Sequence, residues 1–378
     1  MLVNLKIYFQ KLNAWEIAYT KGEVMKRYGN LYQIICSKEN LRLAHQNARK
    51  GKGWYKEVKM VDSDVDHYIN LLHDMLVNKT YQTSEYVTFI KRDSNKDRVI
   101  YKLPYFPDRI CQWAIIQVIE PILIKNLIQN TYSAIPGRGI HKALDDVKKA
   151  IQKDPTGMAY CLKLDVKKYY PSIDHAVLKG KFRRMFKDPD LLWLLDEIID
   201  STPGNAGIPI GNYVSQYCGN MYLSGFDHWI KEEKHIRHYF RYMDDICIFS
   251  KCKEELHKLR KEIDKYFEMN LHLTIKSNWQ VFPTFTRGLD FVGYRIFRNF
   301  VLLRKSTCKQ FKKKMTHIIK KINRGMEMNF SEWCSINSYR GWLLHCDSFR
   351  LSEKYLYPLQ LPAEQYYLNR VKRKVAKT

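Results

Sequence analysis

The sequence lacks the cysteine pattern of a disulfide scaffold and the long apolar run of a membrane span. Its nine cysteines are an odd number and include no C-x-x-C pair, so neither a disulfide framework nor a zinc site is indicated. No apolar stretch of about 18 residues and no leading signal-like segment is present, which argues against membrane insertion and export. These absences predict a protein of the reducing cytoplasm.

Acidic residues are scarce relative to basic ones. The 378 residues include 64 Lys and Arg against 39 Asp and Glu, a formal net charge of +25, while the hydrophobic content of 45% is that of an ordinary globular protein. A chain of this length can form two or three subdomains, each with its own core. So large an excess of cations indicates a polyanionic partner, with nucleic acid as the leading candidate.

Two adjacent carboxylates, Asp244 and Asp245, stand between segments rich in β-formers. Residues 238–242 and 246–249 predict the two strands of a hairpin with the acids at its turn. Such a turn can direct both carboxylates toward a metal ion, although a solvated turn explains the same residues equally well. The Tyr-Met-Asp-Asp turn therefore predicts catalysis only together with a third acid.

That third acid is Asp165, which ends the apolar strand predicted over residues 161–165. Three such carboxylates suit two-metal phosphoryl transfer, in which paired cations activate an attacking 3′-hydroxyl and stabilise the departing pyrophosphate. Magnesium fits, since it takes carboxylate oxygens together with substrate phosphate, and manganese is a possible substitute. Without the Asp pair, a strand-end cap would be the better interpretation of Asp165.

Helices and short strands alternate around these acids. The periodicity predicts helices over 37–52, 63–78, 188–199 and 254–269, with Ser37, Ser63 and Asp188 as N-caps. It predicts a strand pair within 86–103 and short strands at 273–276 and 290–296. This order indicates an α+β fold. Residues 1–30 show no convincing period and form a predicted N-terminal extension.

A basic helical segment follows residue 305. Its cations lie among apolar positions, so that one face can pack while the other follows a phosphate backbone, although a solvated charged face has the same pattern. The tail over 370–377 is basic as well and is interpreted as a disordered arm. The candidate nucleic-acid-binding residues are Lys309, Lys312, Lys313, Lys320 and Arg324.

The order of these motifs resembles that of reverse transcriptases. It comprises Asp165 with an aromatic residue five positions on, a Gly-x-x-x-Ser helix start at Gly211, the Tyr-Met-Asp-Asp hairpin, the downstream Lys276 and a Gly-Leu-Asp-Phe-Val-Gly-Tyr turn. The resemblance covers roughly residues 30–350. It implies a right-hand polymerase with an antiparallel palm sheet covered by helices. After the extension at 1–30 come mainly fingers at 31–130, mainly palm at 131–300, and a helical thumb with a basic tail at 301–378.

The resemblance also implies roles for individual residues. Asp165 and Asp244 would bridge two Mg²⁺ ions, Asp245 would complete the acidic cluster, and the backbone carbonyl of Val166 would join the metal site. Lys276 would donate a proton to pyrophosphate. The residues expected to contact the incoming dNTP are Arg98 and Lys91 at its triphosphate, Tyr170 as a steric gate beneath its sugar, and Ile210, Gly211 and Gln216.

The segment at 210–216, Ile-Gly-Asn-Tyr-Val-Ser-Gln, resembles the Ile-Gly-Asn-x-x-Ser-Gln version found in diversity-generating retroelement enzymes. Most relatives have Gln-Gly-x-x-x-Ser-Pro. The segments at 28–32, 135–139 and 338–346 are similar to that subgroup too. Because Ile210 cannot form the hydrogen bonds of a Gln near the templating base pair, the resemblance implies error-prone cDNA synthesis, especially opposite template adenine.

The implied partners are a template RNA, a primer or cDNA, dNTPs and an accessory protein that holds the template, in the cytoplasm of a bacterium or as a phage-encoded protein. A bacterial defence-associated or retron-like reverse transcriptase would have the same chemistry. A catalytically silent RNA-binding protein on a polymerase scaffold is a third possibility, which the three acids disfavour. A group II intron maturase fits less well, because no endonuclease-like Cys/His cluster or long added domain is present.

Overall fold

The computed structural model describes residues 15–20, 23–93 and 96–375, with only the backbone at 15–20, 23–26, 92, 93, 96, 98 and 371–375. The chain divides into two compact units that are interleaved in sequence. The first contains the described residues up to Ala134, together with Asp165–His235 and Arg260–Asn278. The second contains Ile135–Leu164, Ile236–Leu259 and the described residues from Trp279 onward.

The first unit consists mainly of helices and carries two hairpins, β1–β2 and β3–β4. Its most apolar helix, α5, is buried along most of its length, and α2 and α9 pack against it. The elements are β1 Trp15–Thr20, β2 Glu23–Tyr28, α1 Tyr32–Cys36, α2 Lys38–Ala48, α3 Lys56–Ser63, α4 Val65–Val77, β3 Val87–Asp93, β4 Lys96–Lys102, α5 Ile110–Lys125, β5 Thr131–Tyr132, α7 His175–Met185, α8 Pro189–Asp200, α9 Tyr213–Tyr222 and α10 Ser224–His228.

The second unit contains a sheet with the strand order β7-β8-β6-β9. β7 pairs antiparallel with β8, and β6 pairs antiparallel with β9. The middle of β8 is buried at four consecutive residues, as expected for a sheet covered on both faces. The strands are β6 Tyr160–Asp165, β7 His238–Tyr242, β8 Asp245–Ser250 and β9 Gln280–Pro283, and helix α6 Ile140–Lys153 packs against β7.

A three-stranded antiparallel sheet and a group of helices complete the second unit. In helix α13, three apolar side chains at positions 311, 315 and 318 are buried, while most of its lysines are exposed. The elements are α12 Thr284–Arg287, β10 Leu289–Phe291, β11 Tyr294–Ile296, β12 Val301–Leu303, α13 Lys305–Asn323, α14 Phe330–Leu343, α15 Phe349–Tyr355 and α16 Gln360–Val375. The long helix α11, Lys253–Leu271, begins in the second unit and belongs to the first unit from Arg260 onward.

Helix starts follow the predicted caps with one exception. The Ser37 hydroxyl accepts a hydrogen bond from the Asn40 N–H, and the Asp188 carboxylate accepts one from the Leu191 N–H. The predicted cap at Ser63 is wrong, because this residue ends α3 and the next residue, Asp64, caps α4. An Asp satisfies the orphan N–H groups of a first turn as well as a Ser does, so the adjacent Asp64 can cap the helix in place of Ser63.

Two other expectations differ from the structure. Residues 273–276 form no strand, since only Ile275 makes an isolated bridge, to Val166. The basic tail, interpreted as a disordered arm, continues α16 as far as Val375. The described part of the N-terminal extension forms the hairpin β1–β2, which packs against α7; residues 1–14, 21 and 22 lie outside the described chain.

All nine cysteines are free thiols. In the described ranges, no helix combines the length and the apolar character needed to span a bilayer.

Candidate active site

The Asp244–Asp245 turn closes the β7–β8 hairpin. Tyr242 pairs directly with Asp245, so Met243 and Asp244 form a two-residue turn, and Met243 has a φ of +56°. The side chain of Arg241 is fully buried beneath this turn, where its guanidinium donates to the Met243 carbonyl at 3.0 Å. A charged donor in the interior thus holds a backbone conformation that non-glycine residues seldom adopt.

Asp245 has a partner on the neighbouring strand. Lys163 of β6 donates from its ammonium to the Asp245 carboxylate at 2.5 Å and lies 3.7 Å from the Cys247 sulfur. The same ammonium lies 5.3 Å from the ring centre of Phe291. Burial disfavours the charged form, yet Cys247 and Asp245 keep the pKa of Lys163 above its ordinary value. The sequence analysis did not identify Lys163.

Asp165 has its own cationic partner, within the first unit. Lys276 donates from its ammonium to the Asp165 carboxylate, and the Lys276 N–H donates to the Asp165 carbonyl at 2.8 Å. Beside them, Val166 bridges Ile275 and the Lys167 N–H donates to the Thr274 carbonyl at 2.8 Å. The segment that was predicted to be a strand therefore still aligns Lys276 with Asp165.

Tyr170 lies beside the 208–216 segment. It begins a 3₁₀ turn and is half-buried, with its ring 5.7 Å from that of Tyr169 in an edge-on arrangement. Its carbonyl accepts from the Ile208 N–H at 3.0 Å. The adjacent Tyr169 is buried and donates its hydroxyl to the Gly219 carbonyl. Of the two tyrosines, Tyr170 is therefore the more accessible one.

The 210–216 segment lies beside strand β4. The Tyr101 N–H donates to the Ile210 carbonyl at 2.9 Å. Gly211 has a φ of +125°, and a Cβ at this position would lie only 2.6 Å from the Tyr101 carbonyl oxygen. Both the positive φ and the close carbonyl oxygen require glycine at this position. Ile210 is half-buried, whereas Gln216 is exposed.

The β3–β4 hairpin places Lys91 directly opposite Arg98. Cross-strand partners share a face of a sheet, so Lys91 lies on the same face as the pair Phe89 and Ile100. Lys91 is exposed. The side chain of Arg98 lies outside the described part of the chain, and the structure gives only the position of its backbone.

A cavity of about 400 Å³ adjoins that hairpin within the first unit. Gln112, which is 2% exposed, accepts from the Tyr213 N–H at 2.8 Å while its amide nitrogen has no partner. The Nε of Arg109 is likewise unpartnered, and burial lowers the pKa of both Arg109 and Lys52. The lining includes Phe89, Ile100, Tyr101 and Gly211 together with the cations Lys52, Lys56, Lys102 and Arg109.

Sequence analysis missed this cavity. Glu57 is its one acid among the described lining residues, and its carboxylate is occupied by the Lys102 ammonium at 2.7 Å and the Tyr105 N–H at 2.8 Å. The available signal was Gln112, a polar residue in the first turn of a mainly apolar helix, together with Arg109 directly before that helix. A buried donor without a partner at a cavity wall is a natural contact for a ligand oxygen.

Most basic residues of α13 are exposed, and one of them forms an ion pair. Lys321 is paired with Glu332 of α14 at 2.9 Å. The predicted nucleic-acid-binding residues are all exposed: Lys309, Lys312, Lys313, Lys320 and Arg324.

The structure groups the predicted residues into two sets. Within the first unit, Asp165 and Val166 lie beside Lys276, and Tyr170 lies beside the 208–216 segment. Within the second unit, Asp244 and Asp245 share one turn beside Lys163. Across the residues that the structure describes, no group of three or more His, Cys, Asp or Glu side chains is arranged to hold a metal ion.

Comparisons with known proteins give the family. A model of the reverse transcriptase (RNA-dependent DNA polymerase) family matches residues 90–296, more than half of the chain. Protein YkfC of Escherichia coli (strain K12) is 23% identical over 272 residues, covering 61% of this chain and 71% of YkfC. The group II intron-encoded protein LtrA of Lactococcus lactis subsp. cremoris is 24% identical over 221 residues, covering 55% of this chain and 36% of LtrA.

Among solved structures, similarity extends to telomerases. Apo telomerase of Candida tropicalis truncated from the C-terminal domain has a TM-score of 0.42 at 12% identity, over 62% of this chain and 60% of that one. Telomerase of Candida albicans in complex with a TWJ fragment of telomeric RNA has a TM-score of 0.44 at 11% identity, over 80% of this chain and 65% of that one. The chain thus spans less than two thirds of these telomerases and about a third of LtrA.

The region that the family model matches contains Asp165, the Asp244–Asp245 turn and Lys276. Over more than half its length, therefore, this chain belongs to the reverse transcriptase family of RNA-dependent DNA polymerases.

Proposed function

We propose that this protein adds dNTPs to a primer 3′-hydroxyl on an RNA template, with Asp165, Asp244 and Asp245 as its metal-holding acids. The carrying observation is that the reverse transcriptase family model matches residues 90–296, the region that contains all three acids. In the second unit, Asp244 and Asp245 share the turn of the β7–β8 hairpin, and Lys163 reaches Asp245 at 2.5 Å. In the first unit, Asp165 lies beside Lys276.

The donor chemistry fits Mg²⁺. Three carboxylates and the Val166 carbonyl offer only hard oxygen ligands, which suit Mg²⁺ or Mn²⁺. A bound pair of such ions would activate the 3′-hydroxyl and neutralise the departing pyrophosphate. Meanwhile Lys163 and Lys276 compensate part of the negative charge of Asp245 and Asp165. The chain therefore supplies both the acids and the counter-charges that make so acidic a site stable.

Several other residues have roles in this reaction. Lys276, which contacts Asp165, would donate a proton toward pyrophosphate. Lys91 and Arg98 share one face of the hairpin, which suits contacts with successive phosphates of a triphosphate. Tyr170 is the half-buried aromatic expected beneath the sugar of the dNTP, where it would disfavour a 2′-hydroxyl.

We assign the cavity beside β4 to the template strand. Its walls combine aromatic and aliphatic side chains, against which a base can stack, with the cations Lys52, Lys56 and Arg109, which can reach phosphates; the fourth cation, Lys102, is paired with Glu57. The unpartnered amide nitrogen of Gln112 is a donor for a base or sugar oxygen. Gly211 connects this cavity with the 210–216 segment, which would place the template next to the incoming nucleotide.

We further propose that the enzyme belongs to the diversity-generating type and copies RNA with errors, with an accessory protein holding the template. The support is Ile210, an apolar side chain where most relatives have Gln. Its backbone anchor to Tyr101 does not involve the side chain, so I210Q should keep the local fold. In purified enzyme, we expect I210Q to lower misincorporation opposite template adenine and the matched apolar variant I210L to leave it high. Equal error spectra for all three proteins would refute the subtype.

Template-directed extension tests the polymerase itself. With a DNA primer on an RNA template, magnesium and labelled dNTPs, we expect incorporation of the dNTPs that the template specifies and little use of rNTPs. Y170A should relax the discrimination against rNTPs more than it reduces dNTP use. Label incorporation independent of the template, or no extension with any partner present, would contradict the proposal.

A further inference from the structure

The first unit contains a second cleft, of about 530 Å³. Lys125 and Asn126 line it at the C-terminal end of α5, whereas Gln112 lines the template cavity near the start of that helix. Gln112 and Lys125 are thirteen residues apart in number, which corresponds to about 20 Å along a helix axis. The two cavities share no lining residue among those described, so the cleft is a separate site.

The lining of this cleft is cationic over an apolar floor. Lys125 projects from α5, and Lys181 and Arg184 project from one face of α7, while the buried Met185 and Met221 form the floor. The described lining residues include no carboxylate. His228 also lines the cleft and faces Glu232 at 2.6 Å. The three longer cations give the cleft its positive charge, and Tyr28 and Gly225 also line it.

Local backbone structure holds this cationic wall in place. A Cβ at residue 225 would lie 3.2 Å from the Lys181 ammonium, so Gly225 leaves space for that charge against the backbone of α10. Tyr28 is fixed from the other side, because its carbonyl accepts from the Lys187 N–H at 2.8 Å, just beyond the end of α7. The cleft is therefore a formed site between packed elements rather than a set of independent surface lysines.

We propose that this cleft binds the phosphate backbone of an RNA segment that is not being copied. Lys181 and Arg184 are three residues apart on α7, so their Cβ atoms are about 5–6 Å apart, and Lys125 adds a third charge from another helix. Charges distributed in this way match several phosphates along a strand better than one compact anion. The half-buried Tyr28 provides an aromatic ring on which an unstacked base can stack. The polymerase thus holds its RNA at a second position, away from the primer end.

Charge reversal at the two exposed cations tests this site. Lys125 and Arg184 are both exposed, so K125E/R184E should fold. The matched control K258E/K261E makes the same charge change at exposed residues of α11 outside the cleft. The probe is a long single-stranded RNA, and its binding is followed by fluorescence anisotropy across a salt series. We expect the slope of log affinity against log salt to fall by roughly 1.4 for K125E/R184E, about 0.7 for each phosphate that the variant no longer neutralises.

Two further measurements distinguish the cleft from the polymerase site and from a binding site for small anions. Extension of a short primer–template reports on the polymerase, so the cleft proposal can fail while the proposed function stands, and the reverse. An unchanged slope, an equal loss in K258E/K261E, or a parallel loss of short-duplex extension would overturn the second RNA site. Competition by inorganic triphosphate as effective as that by RNA would also overturn it, because the cleft would then be a site for a small anion.

Discussion

At the scale of single residues, the hairpin acids depend on two basic side chains. Arg241 holds the turn from below through the Met243 carbonyl, and Lys163 holds Asp245 from the next strand. Arg241 directly precedes the Tyr-Met-Asp-Asp turn and is fully buried, and Lys163 lies two residues before Asp165 and is 25% exposed. Their common effect is that the carboxylates are positioned before any ligand binds, which is the preorganisation that a charged active site requires.

Removing Lys163 should take away the ammonium that contacts Asp245 at 2.5 Å. The two side chains are 25% and 29% exposed, so we expect K163M to lower the free energy of unfolding by about 1–3 kcal/mol. In a D245N background the same substitution should cost less, because the carboxylate is already gone. Chemical denaturation of the four proteins of this double-mutant cycle measures the coupling energy. A coupling energy of zero would show that the pair contributes nothing.

Gly211 should be intolerant of a side chain. Alanine would adopt a φ of +125° and place its Cβ 2.6 Å from the Tyr101 carbonyl oxygen, so we expect G211A to lose about 1–3 kcal/mol of stability from the backbone strain alone. The control is Gly180 within α7, where a Cβ meets nothing within 4 Å and G180A should gain about 0.5–1 kcal/mol. Thermal unfolding of both variants compares them, and equal melting temperatures would refute the steric account.

At the scale of elements, periodicity and capping predicted the helices and hairpins that depend on local sequence. The helix that begins after Asp188 and the β3–β4 and β7–β8 hairpins are confirmed, since caps, alternation and turns are local signals. The strand at 273–276 was wrong because a strand exists only through its partner, and here the chain meets Val166 at one residue. The cavity walls are likewise formed by segments that are far apart in the sequence, so no short stretch of sequence predicts them.

Helix α13 carries the largest concentration of exposed cations predicted to bind nucleic acid. Lys312 and Lys313 are exposed on this helix while Phe311 and Met315 are buried. If both lysines contact duplex phosphates, K312E/K313E should reduce the salt slope of primer–template binding by roughly 1.8, about 0.9 per phosphate. Filter binding across a salt series measures it, with K258E/K261E as the equal-charge control. A slope equal to that of the control would show that these lysines face solvent and contact no phosphate.

At the scale of the whole molecule, the net charge of +25 and the ordered motifs predicted the family. The prediction of an RNA-directed DNA polymerase with an α+β polymerase fold is confirmed by the family match over residues 90–296. The division into fingers, palm and thumb, the individual site roles and the diversity-generating subtype stay predictions. They depend on how distant segments meet around nucleic acid, and the residues alone do not specify those contacts.

The central claim is that Asp244 is part of the acidic centre that adds nucleotides. Single-nucleotide addition to a primed RNA template, at saturating dNTP and magnesium, measures this most directly for D244N against D66N. Asp66 is an exposed carboxylate whose ion pair with Arg42 lies on the surface. We expect D66N to retain the rate of the unmodified enzyme and D244N to lose about a thousandfold or more. Addition by D244N at the unmodified rate would contradict the account.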